Sequence, residues 1–405
     1  MHVLLVTGEF PPMQGGVGDY TAHLARALRA RGAEVTVLTS QRAIAEPHSS
    51  AESSWVLPEI ADWGTRCWRH ILHVARERHT DVVHVQYQTA AFGMHPAINI
   101  LPLTARLTRP RPRFVVTFHD LKPPYLFPKA GPLRKLPAWL LARSADAVIA
   151  TNDEDLAVLR LALQGEKNGS VDSRLHLIPI GSNIPPLPAP SATDVEEWRE
   201  GLGIEPQSVL LSFFGFLNRN KGTDVLLDAL ALLSGKHRNL YLLVVGGTIG
   251  DSDPSNRAYA HLIRGKADDP RLRGRVFWTG FTRPEEVSLN LQRTDICVLP
   301  FREGSSYRHG TLVAALAHGL PIITTIGVSA RASAGIGPPP LSHGQNCLLV
   351  PPGDAGKLAE AIEILGWDGD LRARLSQGSR TLAPHFEWGR IAELHLELYR
   401  DLLAD

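Results

Sequence analysis

The stretch HVLLVTGEFPPMQGGVGDYTAHLARALRARGAEVTVLTS, residues 2–40, contains one complete strand–helix–strand pattern. Its first and last seven residues are mostly β-branched or aliphatic on both faces, as in a parallel strand that helices cover on both sides. Between them, Leu24 and Leu28 fall on one side of a predicted helix and Arg29 on the other, and Gly32 is suited to end it. The stretch therefore predicts a β–α–β unit of a parallel sheet.

The same alternation continues almost to the end of the chain. The predicted strands are 2–8, 34–40, 81–87, 114–120, 147–151 and 175–180 in the first half, and 208–215, 240–247, 276–281, 295–301, 321–325 and 347–352 in the second. Regular repetition of strand and helix predicts open α/β domains with parallel sheets. The last pattern, WGRIAELHLELYRDLLAD, is a long amphipathic helix that follows the second set of strands.

A proline-rich segment marks the boundary between two domains. Five prolines stand between residues 179 and 190, where neither a helix nor a central strand would tolerate them. We therefore predict a linker over 182–194, a first domain over 1–184 and a second over 195–385. The length of 405 residues agrees with two domains, because a single core seldom grows that large.

The composition excludes several classes of protein. Hydrophobic residues make up 44% of the chain, and the formal net charge is +1, so nucleic-acid binding through global charge is not expected. Cys67, Cys297 and Cys347 are far apart and lack metal-ligand spacing, which favours a reducing compartment. The first residues do not resemble a signal peptide, and no apolar run is long enough to span a membrane. We expect a cytoplasmic protein.

Two polar turns follow strands of the predicted first domain, and open α/β sheets bind ligands at the carboxyl ends of strands. Gly15 and Gly16 precede the first helix, so their N–H groups could face an anion, or they could serve only the geometry of the turn. His119 closes the strand FVVTFHD, where it could donate to a sugar hydroxyl or move a proton. The alternative for His119 is a structural role, with its ring bonded to a backbone carbonyl.

In the predicted second domain, Gly215 ends a strand, and Arg219 and Lys221 stand just before a helix. The helix dipole disfavours cations at this place, so two of them indicate that an anion binds there. The alternative is that both are solvated loop cations. A later turn carries Asp251 and Asp253, but carboxylates in such a turn usually serve turn chemistry, and we discard a metal site.

The most polar turn lies in FREGSSYRHGTLVAALAHGLP, residues 301–321, between an apolar strand and a helix of small residues. Its charged, hydroxyl and amide groups are candidate ligands for a donor substrate: Glu303, Ser306, Arg308, His309, Gly310 and Thr311. No nucleophile–base pair or metal-ligand cluster is visible in these turns. The set is typical of a site for a sugar nucleotide diphosphate, where positioning and charge neutralisation supply the catalysis.

These segments resemble a retaining glycosyltransferase of the group 1 type, glycosyltransferase family 4. The resemblance runs nearly end to end through GEFPP…GGVGDYTAHLARALRARGAEVTVLT, VVTFHDL, KGTDVLLDALALL, FWTGF…RTDICVLPF, AALAHGLPIITT and FEWGRIAELHLELYRDLL. It implies the B-type fold, with two Rossmann-like domains that face each other across a cleft. It also implies that the C-terminal helix, 386–405, crosses back to the first domain.

The resemblance implies transfer of a hexose from a nucleotide sugar, held mainly by the second domain, to a glycan, lipid-linked or small-molecule hydroxyl held by the first. No metal or other cofactor is implied. By position, Gly16 would approach the donor diphosphate, His119 the transferred sugar, and Lys221 would pair with the diphosphate. In such enzymes the leaving phosphate is thought to help deprotonate the acceptor, which would explain why no dedicated base is visible.

The chain departs from the family pattern in its donor segments. Phe216 stands where the family usually has an arginine, and Arg219 is the candidate replacement for that charge. The family's two glutamates, eight positions apart, correspond to Ser306 and Ala314. Glu303 could replace the first glutamate only if the loop is rearranged. Ala314 cannot accept from the ribose hydroxyls, as the second glutamate normally does.

Two hypotheses accommodate these departures. The first is an active transferase in which Arg308 and the amides of Gly310 and Thr311 hold the diphosphate, and Glu303 or Ser306 holds the sugar. The second is a non-catalytic nucleotide-sugar-binding homologue or partner subunit. We favour the enzyme, because a decaying site would also have lost its other polar groups. An epimerase or phosphorylase would carry other signatures, and a dehydrogenase would carry GxGxxG.

Residues 100–145 are strongly basic. Against one acid, Asp120, they carry nine basic residues interleaved with apolar ones: Arg106, Arg109, Arg111, Arg113, Lys122, Lys129, Arg134, Lys135 and Arg143. The region 106–143 could meet an anionic membrane face or a lipid-phosphate-linked acceptor. The alternative is a solvated arginine-rich surface. Peripheral membrane contact is therefore an open expectation beside the cytoplasmic location.

Overall fold

Two all-parallel β-sheets organise the chain, which a computed structural model describes over residues 1–13, 15–43, 54–106, 108–121, 136–163, 173–247, 255–327 and 337–404. The strands are β1 (His2–Thr7), β2 (Glu34–Ser40), β3 (Val56–Ile60), β4 (Val82–Tyr87), β5 (Arg113–Phe118), β6 (Ala147–Ala150), β7 (Leu175–Leu177), β8 (Val209–Phe214), β9 (Leu240–Val245), β10 (Val276–Gly280), β11 (Ile296–Leu299), β12 (Ile322–Thr325) and β13 (Leu348–Val350). The α-helices are α1 (Gly16–Ala30), α2 (Arg66–Glu77), α3 (Leu101–Ala105), α4 (Leu136–Ser144), α5 (Asp153–Leu163), α6 (Ala192–Gly201), α7 (Thr223–Leu233), α8 (Ser255–Ala267), α9 (Pro284–Gln292), α10 (Gly310–Ala317), α11 (Ala355–Trp367), α12 (Gly369–Leu382) and α13 (Trp388–Ala404). None of these described helices combines the length and the apolar character needed to cross a bilayer.

The first sheet has seven strands in the order β3-β2-β1-β4-β5-β6-β7. Met1–Gly181 and Trp388–Asp405 form one compact unit around it. Leu4 and Leu5, neighbours in β1, are both fully buried and belong to different core clusters, so helices cover both faces of the sheet. The strand order reverses between β1 and β4, and their carboxyl ends border the place where such sheets bind ligands.

The second sheet has six strands in the order β10-β9-β8-β11-β12-β13. Ser182–Arg331 and Pro338–Glu387 form the second compact unit around it. Here the strand order reverses between β8 and β11. The prediction of two Rossmann-like α/β domains is confirmed.

All twelve predicted strands are present, because each is a continuous apolar run that a buried parallel strand requires. The sequence analysis missed β3, which contains Pro58 and partly exposed residues and lies at the edge of the first sheet. Proline is tolerated at an edge because its missing N–H faces no partner strand. The predicted first helix is confirmed as α1, with Leu24 and Leu28 buried and Gly32 at a φ of 83° just beyond its end.

The C-terminal helix α13 packs in the first unit, as the resemblance implied. The Trp388 ring stacks on His23 of α1 with centroids 5.1 Å apart, and Arg31 Nη2 lies 3.2 Å from Glu393 Oε1. Aromatic stacking and burial thus fix the helix against α1.

The segment 182–194, predicted as a linker, is ordered against the second unit. The N–H of Leu187 donates to Ser288 Oγ at 3.0 Å, and Gln292 Nε2 donates to the carbonyl oxygen of Leu187 at 2.7 Å. Ser191 begins α6 with a capping box, so residues 192–194 are helical.

Candidate functional site

A tight turn positions Lys221 at the carboxyl ends of β8 and β11. Asn218 Oδ1 accepts the Lys221 N–H at 3.1 Å and so caps the short 3-10 helix Arg219–Lys221. Gly222 follows with a φ of 69°, and a Cβ there would lie 2.0 Å from the carbonyl oxygen of Pro300. Only glycine lets the turn approach the end of β11 so closely. The side chain of Arg219 is exposed, whereas that of Lys221 is half-buried.

The ammonium of Lys221 lies among groups that do not neutralise it. Lys221 Nζ donates to Thr311 Oγ1 at 2.9 Å and lies 5.2 Å from the centroid of the Phe301 ring. Burial lowers the pKa of Lys221 to about 8. No carboxylate of the described residues forms an ion pair with it. A desolvated cation in this setting is stabilised by an anionic ligand.

The N-terminus of α10 adjoins Lys221 through Thr311. His309 occupies the N-cap position, and its side chain does not cap the helix. The N–H groups of Leu312 and Val313 donate to the carbonyl oxygen of His309, whereas those of Gly310 and Thr311 receive no side-chain cap. The helix dipole favours an anion at these two amides. Gly215, at the end of β8, has a φ of 134°, and a Cβ there would lie 3.2 Å from Thr311 Cγ2 and 3.5 Å from Lys221 Nζ. The structure thus brings together Gly215, Lys221 and Thr311 of the predicted donor-binding residues.

Two other predicted donor-binding residues pair with each other. Arg308 Nη2 lies 3.2 Å from Glu303 Oε2, and the two side chains are partly exposed. Such a pair contributes about 0–1 kcal/mol, so a phosphate or a sugar hydroxyl can compete for either member. The His309 ring stacks on Phe301 with centroids 3.9 Å apart. Phe301 therefore supports both His309 and the ammonium of Lys221, a role that the sequence analysis missed.

The two positions at which this chain lacks the family's glutamates are both buried. Ser306 is 7% exposed, and its N–H donates to His309 Nδ1 at 3.2 Å. Ala314 is 1% exposed within α10. Neither side chain carries a charge, so neither can supply the carboxylate that the family pattern has at its position.

Two exposed aromatic rings flank the same edge of the second sheet. Phe216 is 42% and Phe281 is 72% exposed. A Cβ built on Gly247 would lie 3.2 Å from Phe216 Cε1 and 3.6 Å from Phe281 Cβ, so both side chains border one point. A Cβ on the preceding Gly246 would lie 3.1 Å from the carbonyl oxygen of Gly215. The aromatic edge is therefore continuous with the surroundings of Lys221.

In the first unit, a carboxylate covers the start of α1. Gly15 is the N-cap residue, and Glu9 Oε1 accepts the N–H groups of Val17 at 3.0 Å and Gly18 at 3.2 Å. Burial raises the pKa of Glu9, and these two hydrogen bonds oppose the shift. A phosphate at these amides would have to displace the Glu9 carboxylate. At Gly16, the residue predicted to approach the diphosphate, a Cβ would meet no atom within 4 Å, so there is open space beside its backbone. The sequence analysis did not single out Glu9.

His119 lies directly after β5, and within the described residues its ring forms a hydrogen bond with a side chain. Its Nε2 lies 2.9 Å from Gln86 Oε1, and its ring meets Tyr20 edge-on with centroids 4.6 Å apart. Burial lowers the pKa of His119 to about 3. The ring is therefore neutral at neutral pH, where it can donate or accept a hydrogen bond but carries no charge.

Some predicted features fall beyond the described residues. The acidic turn with Asp251 and Asp253 lies outside them, as do four of the nine basic residues: Lys122, Lys129, Arg134 and Lys135. Of the basic residues within the described ranges, Arg111 Nη2 lies 2.9 Å from Asp146 Oδ2. Within the same ranges, no group of three or more His, Cys, Asp or Glu side chains is arranged to hold a metal ion.

Two family models match the chain, one in each unit. Glycosyltransferase Family 4 matches residues 14–181, and Glycosyl transferases group 1 matches residues 208–366. The D-inositol 3-phosphate glycosyltransferase of Xylanimonas cellulosilytica is 27% identical over 411 residues, covering 95% of this chain and 91% of that protein. With four further proteins of that name, the chain aligns over only 47% to 60% of the relative's length.

Solved structures share the fold. The sucrose-phosphate synthase of Thermosynechococcus elongatus aligns with a TM-score of 0.72 and 22% identity, over 100% of this chain and 99% of that one. Anabaena Alr3699/HepE, solved in complex with UDP and glucose, aligns with a TM-score of 0.69 and 19% identity, over 99% of this chain and 100% of that one. Together the two family models cover most of the chain, and their order along it matches the two parallel-sheet units. The chain belongs to the group 1 glycosyltransferases, a family of transferases with the B-type fold.

Proposed function

We propose that the protein transfers a hexose from a nucleotide diphosphate sugar to a hydroxyl of a glycan, lipid-linked or small-molecule acceptor, with retention of anomeric configuration. The observation that carries the proposal is the ammonium of Lys221, which contacts Thr311 at the open N-terminus of α10 and pairs with no carboxylate of the described residues. A diphosphate supplies the missing negative charge. Charge-assisted hydrogen bonds from Lys221 and the first amides of α10 then hold it.

The proposed reaction exchanges one bond at the anomeric carbon. The acceptor oxygen forms a bond to this carbon while the bond from the carbon to the diphosphate oxygen breaks. The acceptor proton passes to the leaving phosphate, so no side chain acts as the base. Lys221 and the amides of Gly310 and Thr311 stabilise the charge that develops on the diphosphate. His119, neutral because it is buried, orients a hydroxyl by a hydrogen bond.

The comparisons support a choice of first substrates. Anabaena Alr3699/HepE has been solved with UDP and with UDP-glucose. The Xylanimonas relative is named for transfer to D-inositol 3-phosphate, an anionic small-molecule acceptor. UDP-sugars and phosphorylated polyols are therefore the first donor and acceptor classes to test, beside GDP- and ADP-sugars.

A donor panel tests the proposal. The protein is incubated with UDP-, GDP- and ADP-sugars with and without acceptors, and released nucleoside diphosphate is measured. The anomeric configuration of any product is read by NMR, and an axial-to-equatorial change would overturn retention. If no donor gives either transfer or hydrolysis, the proposed enzymatic activity is wrong. If calorimetry then showed nucleotide binding without turnover, the non-catalytic homologue would replace it, a role that uncharged Ser306 and Ala314 favour.

The proposal also covers the cellular location, the metal requirement and membrane contact. We propose a cytoplasmic protein that works without a resident metal. We also propose that the basic region 106–143 makes peripheral contact with anionic lipid, because each Lys or Arg near such a surface contributes about 1 kcal/mol. Co-sedimentation with vesicles containing anionic lipid, compared with neutral vesicles, tests the contact. Binding that is absent, or that does not weaken with salt, would overturn it.

A further inference from the structure

A row of polar side chains crosses one face of the first sheet beneath α13. On β4 the inward residues of this face are Val82, His84 and Gln86, and on β5 Thr117 lies beside Gln86 in the strand register. His119 follows two residues later and so projects from the same face. The row therefore runs from the apolar core towards the carboxyl end of the sheet, where His119 lies.

Hydrogen bonds connect this row from α13 to His119. The hydroxyl of Tyr399, on α13, lies 2.6 Å from His84 Nδ1. His84 Nε2 lies 2.8 Å from Thr117 Oγ1 and 3.2 Å from the side-chain amide of Gln86. The amide is placed with Gln86 Nε2 towards His84 and with Gln86 Oε1 2.9 Å from His119 Nε2. Tyr399, His84 and Gln86 are all fully buried, so water does not replace these partners.

The hydroxyl of Tyr399 decides where the protons sit. Within the described residues, His84 Nδ1 is the one hydrogen-bond partner of this hydroxyl. If His84 carried its proton on Nδ1, the phenol would accept, and its own buried proton would have no acceptor, which is costly. Tyr399 therefore donates to Nδ1, and neutral His84 carries its proton on Nε2.

The tautomer of His84 determines the orientation of the Gln86 amide, and this orientation in turn determines the tautomer of His119. In the placed orientation the amide nitrogen of Gln86 would face the Nε2–H of His84, donor against donor. The assignment therefore exchanges the two ends of the amide, so that its oxygen faces His84 and its nitrogen faces His119. Oxygen and nitrogen of an amide have nearly the same shape, and the hydrogen-bond network decides between them. His119 Nε2 then accepts, which leaves the proton of His119 on Nδ1.

We infer that Tyr399 is a positioning residue that fixes His119 as the Nδ1–H tautomer, acting through His84 and Gln86. The consequence rests on the proposed function: His119 offers an N–H donor to a substrate hydroxyl and does not take its proton. Burial also lowers the pKa of both histidines, which keeps them neutral and preserves the tautomer. This assignment agrees with proton transfer to the leaving phosphate.

Imidazole nitrogen NMR on the full chain tests the inference. Protonated and unprotonated ring nitrogens have well-separated ¹⁵N shifts, and His119→Gln assigns the signals. We expect wild-type His119 to be protonated on Nδ1 and Tyr399→Phe to move its proton towards Nε2. Tyr20→Phe is the matched control, because the Tyr20 ring contacts His119 while its buried hydroxyl has no hydrogen-bond partner within the described residues. That variant should leave the tautomer unchanged.

Each other outcome overturns the inference. These outcomes are a wild-type His119 protonated on Nε2, a Tyr399→Phe protein with an unchanged tautomer, and an equal shift in Tyr20→Phe. If Tyr399→Phe does not fold, Gln86→Met replaces it. In Gln86→Met, His84 should keep its Nε2 proton while His119 loses the preference for Nδ1. An unchanged His119 tautomer in this variant would contradict the inference. The measurement needs no turnover, so its failure and the failure of the proposed transfer are separate results.

Discussion

The ammonium of Lys221 lies 2.9 Å from the hydroxyl oxygen of Thr311, the second residue of α10. This contact joins the turn after β8 to the helix after β11, the two strands between which the order of the second sheet reverses. A cation and an open helix N-terminus therefore meet at one point. An anion bound there is attracted by both groups, and the two attractions add.

Replacing Lys221 by methionine keeps the apolar stem and removes the charge. We expect kcat/KM for the donor to fall on the order of 10²–10³-fold, as for removal of one group that stabilises transition-state charge. Lys357→Met removes an exposed lysine that pairs with Glu360 in the same unit, and it should leave the rate unchanged. Equal losses in the two variants would show that the effect is not specific to the site.

Binding of a nucleoside diphosphate should depend on pH through Lys221. Burial lowers its pKa to about 8, so the charged form that attracts the diphosphate is lost as the pH rises through that value. We expect the association constant of UDP, measured by calorimetry, to be level just below pH 8 and to fall on the order of tenfold per unit above it. Lys221→Met should bind weakly with no such fall. A level wild-type profile across this range would contradict the assignment.

The exposed ring of Phe281 is expected to contact the nucleoside rather than the phosphates. Stacking of a base on an aromatic side chain contributes about 1–3 kcal/mol. Phe281→Ala should therefore weaken UDP binding by roughly 5- to 150-fold by that estimate, and inorganic pyrophosphate serves as the internal control. Equal weakening of both ligands, or of neither, would exclude a stacking role.

Gly222 and Gly265 should respond to alanine with opposite signs. At Gly222 the left-handed conformation costs about 1–2 kcal/mol, and the new Cβ would also lie 2.0 Å from the carbonyl oxygen of Pro300. At Gly265, in α8, a Cβ meets no atom within 4 Å. Gly265→Ala should raise the free energy of unfolding by about 0.5–1 kcal/mol, and Gly222→Ala should lower it by more. Urea unfolding measures both, and a neutral Gly222→Ala would contradict the close approach.

Chelation should not abolish transfer. The proposed chemistry uses Lys221 and helix amides where a metal-dependent transferase would use a divalent cation. We expect the rate after dialysis against EDTA to equal the untreated rate, and added Mg²⁺ or Mn²⁺ to change it little. A rate that is lost on chelation and restored by a divalent cation would contradict the proposal.

The sequence was sufficient for most of the fold. Buried parallel strands need continuous apolar runs, and this made twelve of the strands readable. It could not reveal β3, where Pro58 breaks the pattern and the edge position tolerates it. The long amphipathic pattern predicted α13, but only the family resemblance placed that helix in the first unit, because amphipathicity does not specify which surface a helix covers.

Less of the candidate site than of the fold could be predicted from the sequence. Gly215, Lys221 and Thr311 each stand where a strand or a turn meets a helix, so local sequence brought them to attention. The roles of Glu9 and Phe301 depend on which side-chain conformation each adopts against residues from other elements. Local patterns carry no information on such contacts.

The placement of α13 has a consequence for biosynthesis. Ile391 and Tyr399 are fully buried against the first sheet, whose last strand ends at Leu177. The ribosome therefore finishes that sheet, and then the whole second unit, before the helix that covers one face of the sheet emerges. Domains usually fold in order of synthesis. Here the first sheet cannot bury the face that α13 covers until the second unit has been synthesised.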